Sequence, residues 1–427
     1  MRAPLIELTS TEHAPGDASA SSGEGSTFVM DLALGGYGVA KAAGKVMFLP
    51  LTAPGDLVAY RVERDHSRYA FGSVVEVLRP GESRVQPFCP VFGVCGGCQL
   101  QHVAYEVQLA AKRAWVHDAL RRIAGVEVEV SPPVASPLLQ GYRNKAVLHV
   151  HAGGAGFLRS QSHRIVEVES CPVLVPSLRD AHRMVGEWAR TLPADAAFRV
   201  LLRSGSDGGV MAVVHHRTSP ESLQRLAAAL PEAQVARGGS RATVTFICGG
   251  IHFDAEAESF FQVNTSQHES MVETIGGMLS GGVLVDAHAG VGWPSLCLAS
   301  RFREIACVEI ARRSCDLGEA NALRAGLNRV RFIRGSLASA HRQGALPERP
   351  DAMVVDPPRA GILPHDLAAL KEIRAPTVVY VSCNPATLAR DLKHLGLAGY
   401  VPRRVIPFDL FPHTAHVECI VLLNLRR

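Results

Sequence analysis

The chain has 427 residues, with 44 Lys and Arg against 40 Asp and Glu, which leaves a formal charge of only +4. Hydrophobic content of 47% and charged content of 20% exclude wholesale disorder, and the length suits roughly two to four domains. No apolar run reaches the ~18 residues of a membrane helix, and so small a surplus of charge does not by itself argue for a polyanion partner. The opening Met1–Glu7 has no long apolar core, so no secretory signal is expected and the cytoplasm is the expected compartment. Residues 1–26 are small, polar and weakly acidic, and read as a disordered tail. From 27 to 84 come short β-like runs such as Val46–Leu49, Asp56–Glu63 and Gly72–Leu78, with turns at Gly35-Gly36 and Pro54-Gly55. About five such strands in so short a span predict a small closed β-barrel of the OB-like kind. Barrels of this size often hold single-stranded nucleic acid, although a purely stabilising module has the same pattern.

Residues 85–255 read as an α+β central domain, with a helix from about Tyr105 to Ile123. From 256 to 427 strands alternate with helices. Val283–Asp286, Ile305–Glu309, Arg331–Ile333, Ala352–Asp356 and Thr377–Ser382 are expected as buried strands of a parallel, Rossmann-like α/β sheet covered on both faces.

Ten cysteines are spread unevenly, and three crowd into Cys89-Pro-Val-Phe-Gly-Val-Cys95-Gly-Gly-Cys98. In the expected compartment a disulfide framework is disfavoured, which leaves metal, cluster or catalytic roles. Cys171, also followed by proline, is a fourth candidate. Glycines beside the thiols let backbone amides turn toward sulfur, which favours an iron–sulfur cluster. Zinc is the alternative, and three buried thiols without a metal the bland one.

The segment Val283-Leu-Val-Asp286-Ala-His-Ala-Gly290-Val-Gly292-Trp-Pro294 reads as a strand, a glycine turn and a helix start. Glu309 ends the next strand, where a carboxylate can meet ribose hydroxyls. A dinucleotide site would have a third glycine where Ser295 stands, so S-adenosylmethionine (SAM) is favoured over a dinucleotide. Asp356-Pro-Pro-Arg359 closes a buried strand, either as a ligand-side loop or as a plain strand stop. Cys383 ends another strand, followed by Asn384 as N-cap and Pro385 in the first helical turn. A thiol at a helix N-terminus is expected to have a lowered pKa and to be a nucleophile, against the plain reading of a core cysteine. Thiolate addition at carbon 6 of uracil would make carbon 5 nucleophilic toward a methyl donor. A base must then take the carbon 5 proton. Glu418 could supply it, although a charge at a strand end is more often merely solvated.

Six segments together resemble the SAM-dependent RNA uracil-5 methyltransferases, in the branch with an N-terminal TRAM barrel and a [4Fe–4S] cluster. They are Phe88–His102, Gly141-Tyr-Arg-Asn-Lys145, Phe260-Phe-Gln-Val-Asn264, Asp356-Pro-Pro-Arg-Ala-Gly361, Val381–Asp391 and Pro412-His-Thr-Ala-His-Val-Glu418. The likeness implies that Cys89, Cys95, Cys98 and Cys171 hold the cluster. It implies SAM contacts from Gln262, His288, Glu309 and Asp356, with Cys383 as nucleophile and Glu418 as proton acceptor. The implied partner is RNA, 23S ribosomal RNA first and the transfer-RNA T-loop second, with a monomer expected and no membrane. A non-catalytic iron–sulfur RNA-binding protein is the reading from another class. The glycine loop departs from the family pattern: His288 stands for an aromatic residue and Trp293 for an asparagine, and Ser336 occupies a position where Asp or Asn is common.

Overall fold

The computed structural model describes residues 23–216 and 218–426, so most of the expected tail lies outside the described residues. Five strands, β1 (Glu24–Leu32), β2 (Gly38–Ala42), β3 (Lys45–Leu49), β4 (Leu57–Asp65) and β5 (Tyr69–Arg79), close into a barrel in the order β1-β2-β3-β5-β4. The barrel starts at Glu24 rather than 27, which corrects the expected boundary. Glu24 pairs with Arg61 across the ladder, and its carboxylate takes the Arg61 guanidinium at 2.7 Å. At the barrel's lower end Asp56 is fully buried. It accepts from the backbone N–H of Ala53 (2.7 Å) and Gly81 (2.9 Å) and from Arg84 at 2.6 Å. Burial pushes the carboxyl up, but Arg84 and the two amides outweigh it and hold it below its ordinary value.

Helix α1 (Tyr105–Ala119) continues as a π turn over Leu120–Ala124 and stops at Gly125, whose φ of 68° only glycine adopts without strain. Tyr105, Gln108 and Lys112 recur at i, i+3 and i+7, the spacing of one helix face. Gln108 and Lys112 are fully buried, because this polar face packs on the loop 409–417. Lys112 Nζ donates to Asp409 Oδ1 at 2.6 Å and to Phe411 O at 3.0 Å. Gln108 accepts from His413 N (2.9 Å) and donates to Leu100 O (3.0 Å) and Val103 O (2.8 Å).

The middle of the chain builds a six-stranded sheet from β6 (Lys145–His151), β7 (Gly154–Leu158), β8 (Ile165–Glu167), β9 (Ala197–Ser204), β10 (Val210–His215) and β11 (Ala233–Arg237). Helices α2 (Pro176–Ala189) and α3 (Pro220–Ala229) pack against it, and a hairpin, β12 (Thr243–Cys248) with β13 (Ile251–Glu256), follows. Three side chains of this region grip the segment 256–264. Asn144 Nδ2 donates to Gln262 O at 3.1 Å and Lys145 Nζ to Ala257 O at 2.9 Å; buried Arg203 donates to the carbonyls of Glu256 and Ser259, both at 2.6 Å.

The C-terminal sheet holds β14 (Val283–Ala287), β15 (Glu304–Glu309), β16 (Val330–Arg334), β17 (Ala352–Val355), β18 (Thr377–Ser382), β19 (Tyr400–Phe408) and β20 (Glu418–Leu425). Their order is β16-β15-β14-β17-β18-β20-β19. Between and around them lie α4 (His268–Met278), α5 (Arg312–Arg324), α6 (Leu337–Arg342), α7 (Pro364–Ile373) and α8 (Pro385–Gly396). Successive residues of β18 enter opposite cores, Val379 and Val381 on one face and Val378 and Tyr380 on the other, as a doubly covered strand requires. The five strands β14–β18 are parallel, but β20 is antiparallel to both β18 and β19. The sheet is therefore mixed, a correction to the all-parallel expectation. A loop rather than a crossover helix joins β19 to β20, and that connection makes neighbours run in opposite directions. Among the described residues no helix is long and apolar enough to cross a membrane.

Candidate active site

In this order the chain winds one way from β14 to β16 and the other way from β17, so the crevice lies at the carboxyl ends of β14 and β17. Asp286 in β14 is buried, and its Oδ2 accepts from Ser295 Oγ at 2.5 Å. Burial first, then the charges of Asp356 and Glu309, push its pKa well above the ordinary carboxylate value. Glu309 at the end of β15 accepts from Gly290 N (2.8 Å) and Ala311 N (2.7 Å), so it supports the glycine loop directly. His288 sits at φ 66°, with Nε2 at 3.9 Å from Asp366 Oδ2. The 256–264 segment reaches the same place, since a Cβ on Gly290 would lie 3.8 Å from Phe260 O. Three buried atoms here have no hydrogen-bond partner among the described residues: Asp286 Oδ1, His288 Nδ1 and Gln262 Nε2. Buried polar atoms are nearly always paired, so such a trio fits a polar ligand with several hydrogen-bonding edges, as SAM is.

The expected helix after Gly292 does not form. The N–H groups of Cys297, Leu298 and Ala299 reach back three residues, to Pro294, Ser295 and Leu296, and these tight turns end in a short 3₁₀ piece at Ala299–Arg301.

One strand over lies a second group of side chains. Antiparallel pairing of β18 with β20 runs from Thr377↔Asn424 to Ser382↔Cys419, and one further step brings Cys383 opposite Glu418. Asp356 follows β17, the other neighbour of β18. Asn384 caps α8 as expected, accepting from Ala386 N at 3.0 Å. The thiol is nevertheless not acidified. Burial, then the charges of Glu418 and Asp356, push Cys383 up to about 12, while Arg359 pulls the other way. This corrects the expectation of a lowered pKa: two carboxylates and desolvation outweigh one helix end. Glu418 itself is raised well above its ordinary value by burial and by Asp356, against Arg359, and burial raises Asp356 to about 7.

With this geometry in place, comparison with known proteins is decisive. The model of the tRNA (uracil-5-)-methyltransferase family matches residues 247–426. A protein of Halalkalibacterium halodurans described as an uncharacterised RNA methyltransferase is 32% identical over 443 aligned residues, covering 93% of this chain and 96% of its own. One from Thermosynechococcus vestitus, with the same description, is 35% identical, covering 91% and 95%. This chain belongs to the tRNA (uracil-5-)-methyltransferase family. It is an enzyme, a SAM-dependent RNA uracil-5 methyltransferase. The crystal structure of the Pyrococcus abyssi tRNA (uracil-54, C5)-methyltransferase with S-adenosyl-L-homocysteine is 26% identical, spans 94% of this chain and 100% of that one, and superposes with a TM-score of 0.73.

In this methyltransferase the four motif cysteines come into one neighbourhood. Burial pushes Cys98 up to about 12, and the thiols of Cys171, Cys95 and Cys89 add to the rise. Gly97 N points at Cys95 Sγ, 3.4 Å away. Among the described residues, however, no three His, Cys, Asp or Glu side chains are arranged to hold a metal ion. The donor set itself, four thiols from two loops, suits iron–sulfur chemistry.

Several residues of the methyltransferase escaped the sequence reading. Gln108 and Lys112 were signalled by their one-face spacing, which passes equally well for a solvated stripe. Asp391 accepts from Tyr380 Oη (2.7 Å), Ile362 N (2.8 Å) and Arg390 (2.8 Å), while Arg390 also donates to Ala360 O (2.8 Å). Helix α8 thereby clips the Asp356–Gly361 loop. His416, two residues before Glu418, meets Arg359.

Proposed function

We propose that this methyltransferase works through a covalent adduct between Cys383 and carbon 6 of a uridine. The Sγ–C6 bond forms as the C5=C6 π bond opens to an enolate. Carbon 5 then takes the methyl group of SAM, which leaves S-adenosylhomocysteine. Glu418 removes the carbon 5 proton, the double bond re-forms and the thiolate departs. The observation that carries this reading is the β18–β20 register, which sets a thiol and a buried carboxylate opposite each other at a ligand-side strand end. Arg359 favours both the thiolate and a developing enolate.

The test is covalent trapping. RNA containing 5-fluorouridine has no removable proton at carbon 5, and with SAM should give a denaturant-stable protein–RNA adduct. Cys383→Ala should abolish it, and an adduct that persists would reject Cys383 as nucleophile. With ordinary RNA, Glu418→Gln should transfer the methyl group and then accumulate adduct.

Gln262, His288, Glu309 and Asp356 would hold SAM, a reading supported by the unpaired Gln262 Nε2 and His288 Nδ1. Cys89, Cys95, Cys98 and Cys171 would hold a [4Fe–4S] cluster, which when bound supplies a rigid thiolate cross-link between two loops. A brown preparation absorbing in the visible blue is expected; a colourless, zinc-loaded one would overturn the cluster. In this reading the TRAM-like barrel at 24–84 grips RNA, residues 85–255 carry the cluster and 256–427 do the chemistry, in the cytoplasm and as a monomer. Two RNA substrates stand. The resemblance of the cysteine and catalytic motifs favours 23S ribosomal RNA, and the full-length likeness to a tRNA uracil-54 enzyme favours transfer RNA. Labelled SAM offered with each RNA pool, followed by mapping of 5-methyluridine, decides between them.

A further inference from the structure

We propose that His416 is a positioning residue: its imidazole holds the Arg359 guanidinium beside the reacting thiol without cancelling the guanidinium's charge. The inference rests on reading Cys383 as the nucleophile. Arg359 is the cation that acts on both Cys383 and Glu418, where Asp356 and the desolvation of the strand end oppose ionisation. Its backbone is fixed, since Arg359 O accepts from Thr387 Oγ1 at 3.1 Å and from Asn384 Nδ2 at 3.5 Å. Its side chain is exposed, and among the described residues no carboxylate lies within ion-pair distance of it. The contact it makes is with His416 Nδ1, 3.4 Å from Nη2.

A guanidinium only donates, so Nδ1 accepts and the ring carries its proton on Nε2. Burial first, then the positive charges of Arg359, Lys112 and Arg143, push the imidazole down to about 4. Well above that value the ring is a neutral acceptor. An aspartate or glutamate there would tether Arg359 as firmly but neutralise it, and the thiolate would lose its counter-charge. The backbone that carries the ring is itself held. Ala415 N donates to Gln99 Oε1 at 3.2 Å, His416 N to Thr414 Oγ1 at 3.3 Å, and His413 N to Gln108 Oε1 at 2.9 Å. The loop between β19 and β20 thus brings the tether in from the cysteine-rich region and α1.

The experiment titrates Cys383 directly. Full-length protein without RNA is alkylated with iodoacetamide over a range of pH, and modification of the Cys383 peptide is followed by mass spectrometry. Arg359→Met is the positive control and should move the midpoint up. H416Q, a neutral acceptor, should keep the wild-type midpoint. H416E should lower the alkylation rate ~tenfold at a fixed pH below the midpoint, and H416L should lower it by less. In methylation assays H416E and H416L should lower kcat while the SAM dissociation constant stays put, and H416Q should restore kcat. Wild-type midpoints in H416E and H416L, with R359M shifted, would overturn the inference and leave the nucleophile reading standing. A trapped adduct that survives Cys383→Ala would overturn both.

Discussion

Replacing Lys112 by methionine probes the joint between α1 and the loop that leads to Glu418. Lys112 and Asp409 are both fully buried, 2.6 Å apart. Burial pushes the Lys112 pKa down and Asp409 pushes it up; burial prevails, so the ammonium gains less from its partner than it loses by leaving water. The pair as a unit therefore adds little stability, but its halves cannot be separated cheaply. Methionine keeps the volume of the stem but takes the ammonium from Asp409 Oδ1, which still accepts from Phe411 N at 3.2 Å. A buried charge stripped of its partner costs ~3–5 kcal/mol, against ~0–1 kcal/mol for an exposed pair. If the loss falls on local opening, amides of 409–417 should exchange with solvent on the order of 10²–10⁴ times faster. Hydrogen exchange with mass spectrometry reads this without assuming two-state unfolding of a multi-domain chain. Adding Asp409→Leu removes the stranded charge and should recover most of the protection. Exchange within about threefold of wild type in the single variant would refute the reasoning, as would a double variant no better protected than the single one.

Two further outcomes are expected. Asp56 has a folded pKa below the ordinary 3.8, so its share of stability is complete above that value and is lost as pH falls through the folded pKa. The barrel should thus be weakened by acid below pH 3.8, and Asp56→Asn should lose that part of the acid dependence; the urea midpoint followed against pH measures it, and an unchanged acid slope in the variant would contradict the assignment. Asp391→Asn sets an amide NH₂ against donors from Arg390 or from Tyr380 and Ile362, an unpaired clash costing ~1–3 kcal/mol. Its thermal midpoint and kcat should fall with SAM affinity retained, and a melt identical to wild type would argue against the clip.

What could be read from the sequence was local. Cap and turn chemistry marked Asn384, Pro385 and the start of α8, and apolar runs marked all five parallel strands to within a residue or two. Glycine punctuation marked the barrel. The rest depends on contacts between distant segments. Nothing in the residues near Glu418 tells that β20 enters the sheet antiparallel beside β18, and this pairing alone brings it to Cys383. The helix-end argument for an acidic thiol considered one neighbour, whereas the fold supplies two carboxylates and a dry strand end. The polar residues Gln108 and Lys112 of α1 show no role in the sequence because their partners, Asp409 and His413, lie on a loop in another part of the chain.

The β18–β20 register also sets the terms on which this enzyme can change length. Side chains alternate faces along a strand, so losing or gaining one residue inside β20 would turn Glu418 to the opposite face of the sheet and remove it from the thiol outright. A two-residue change restores the face but displaces the carboxylate by about 7 Å along the strand, beyond the reach of the same carbon atom. The loop 409–417 is outside the ladder and could gain residues at its tip without moving the pair, provided the anchors at Asp409 and His413 stay seated. Insertions and deletions across homologous chains should therefore collect in that loop and avoid β18 and β20.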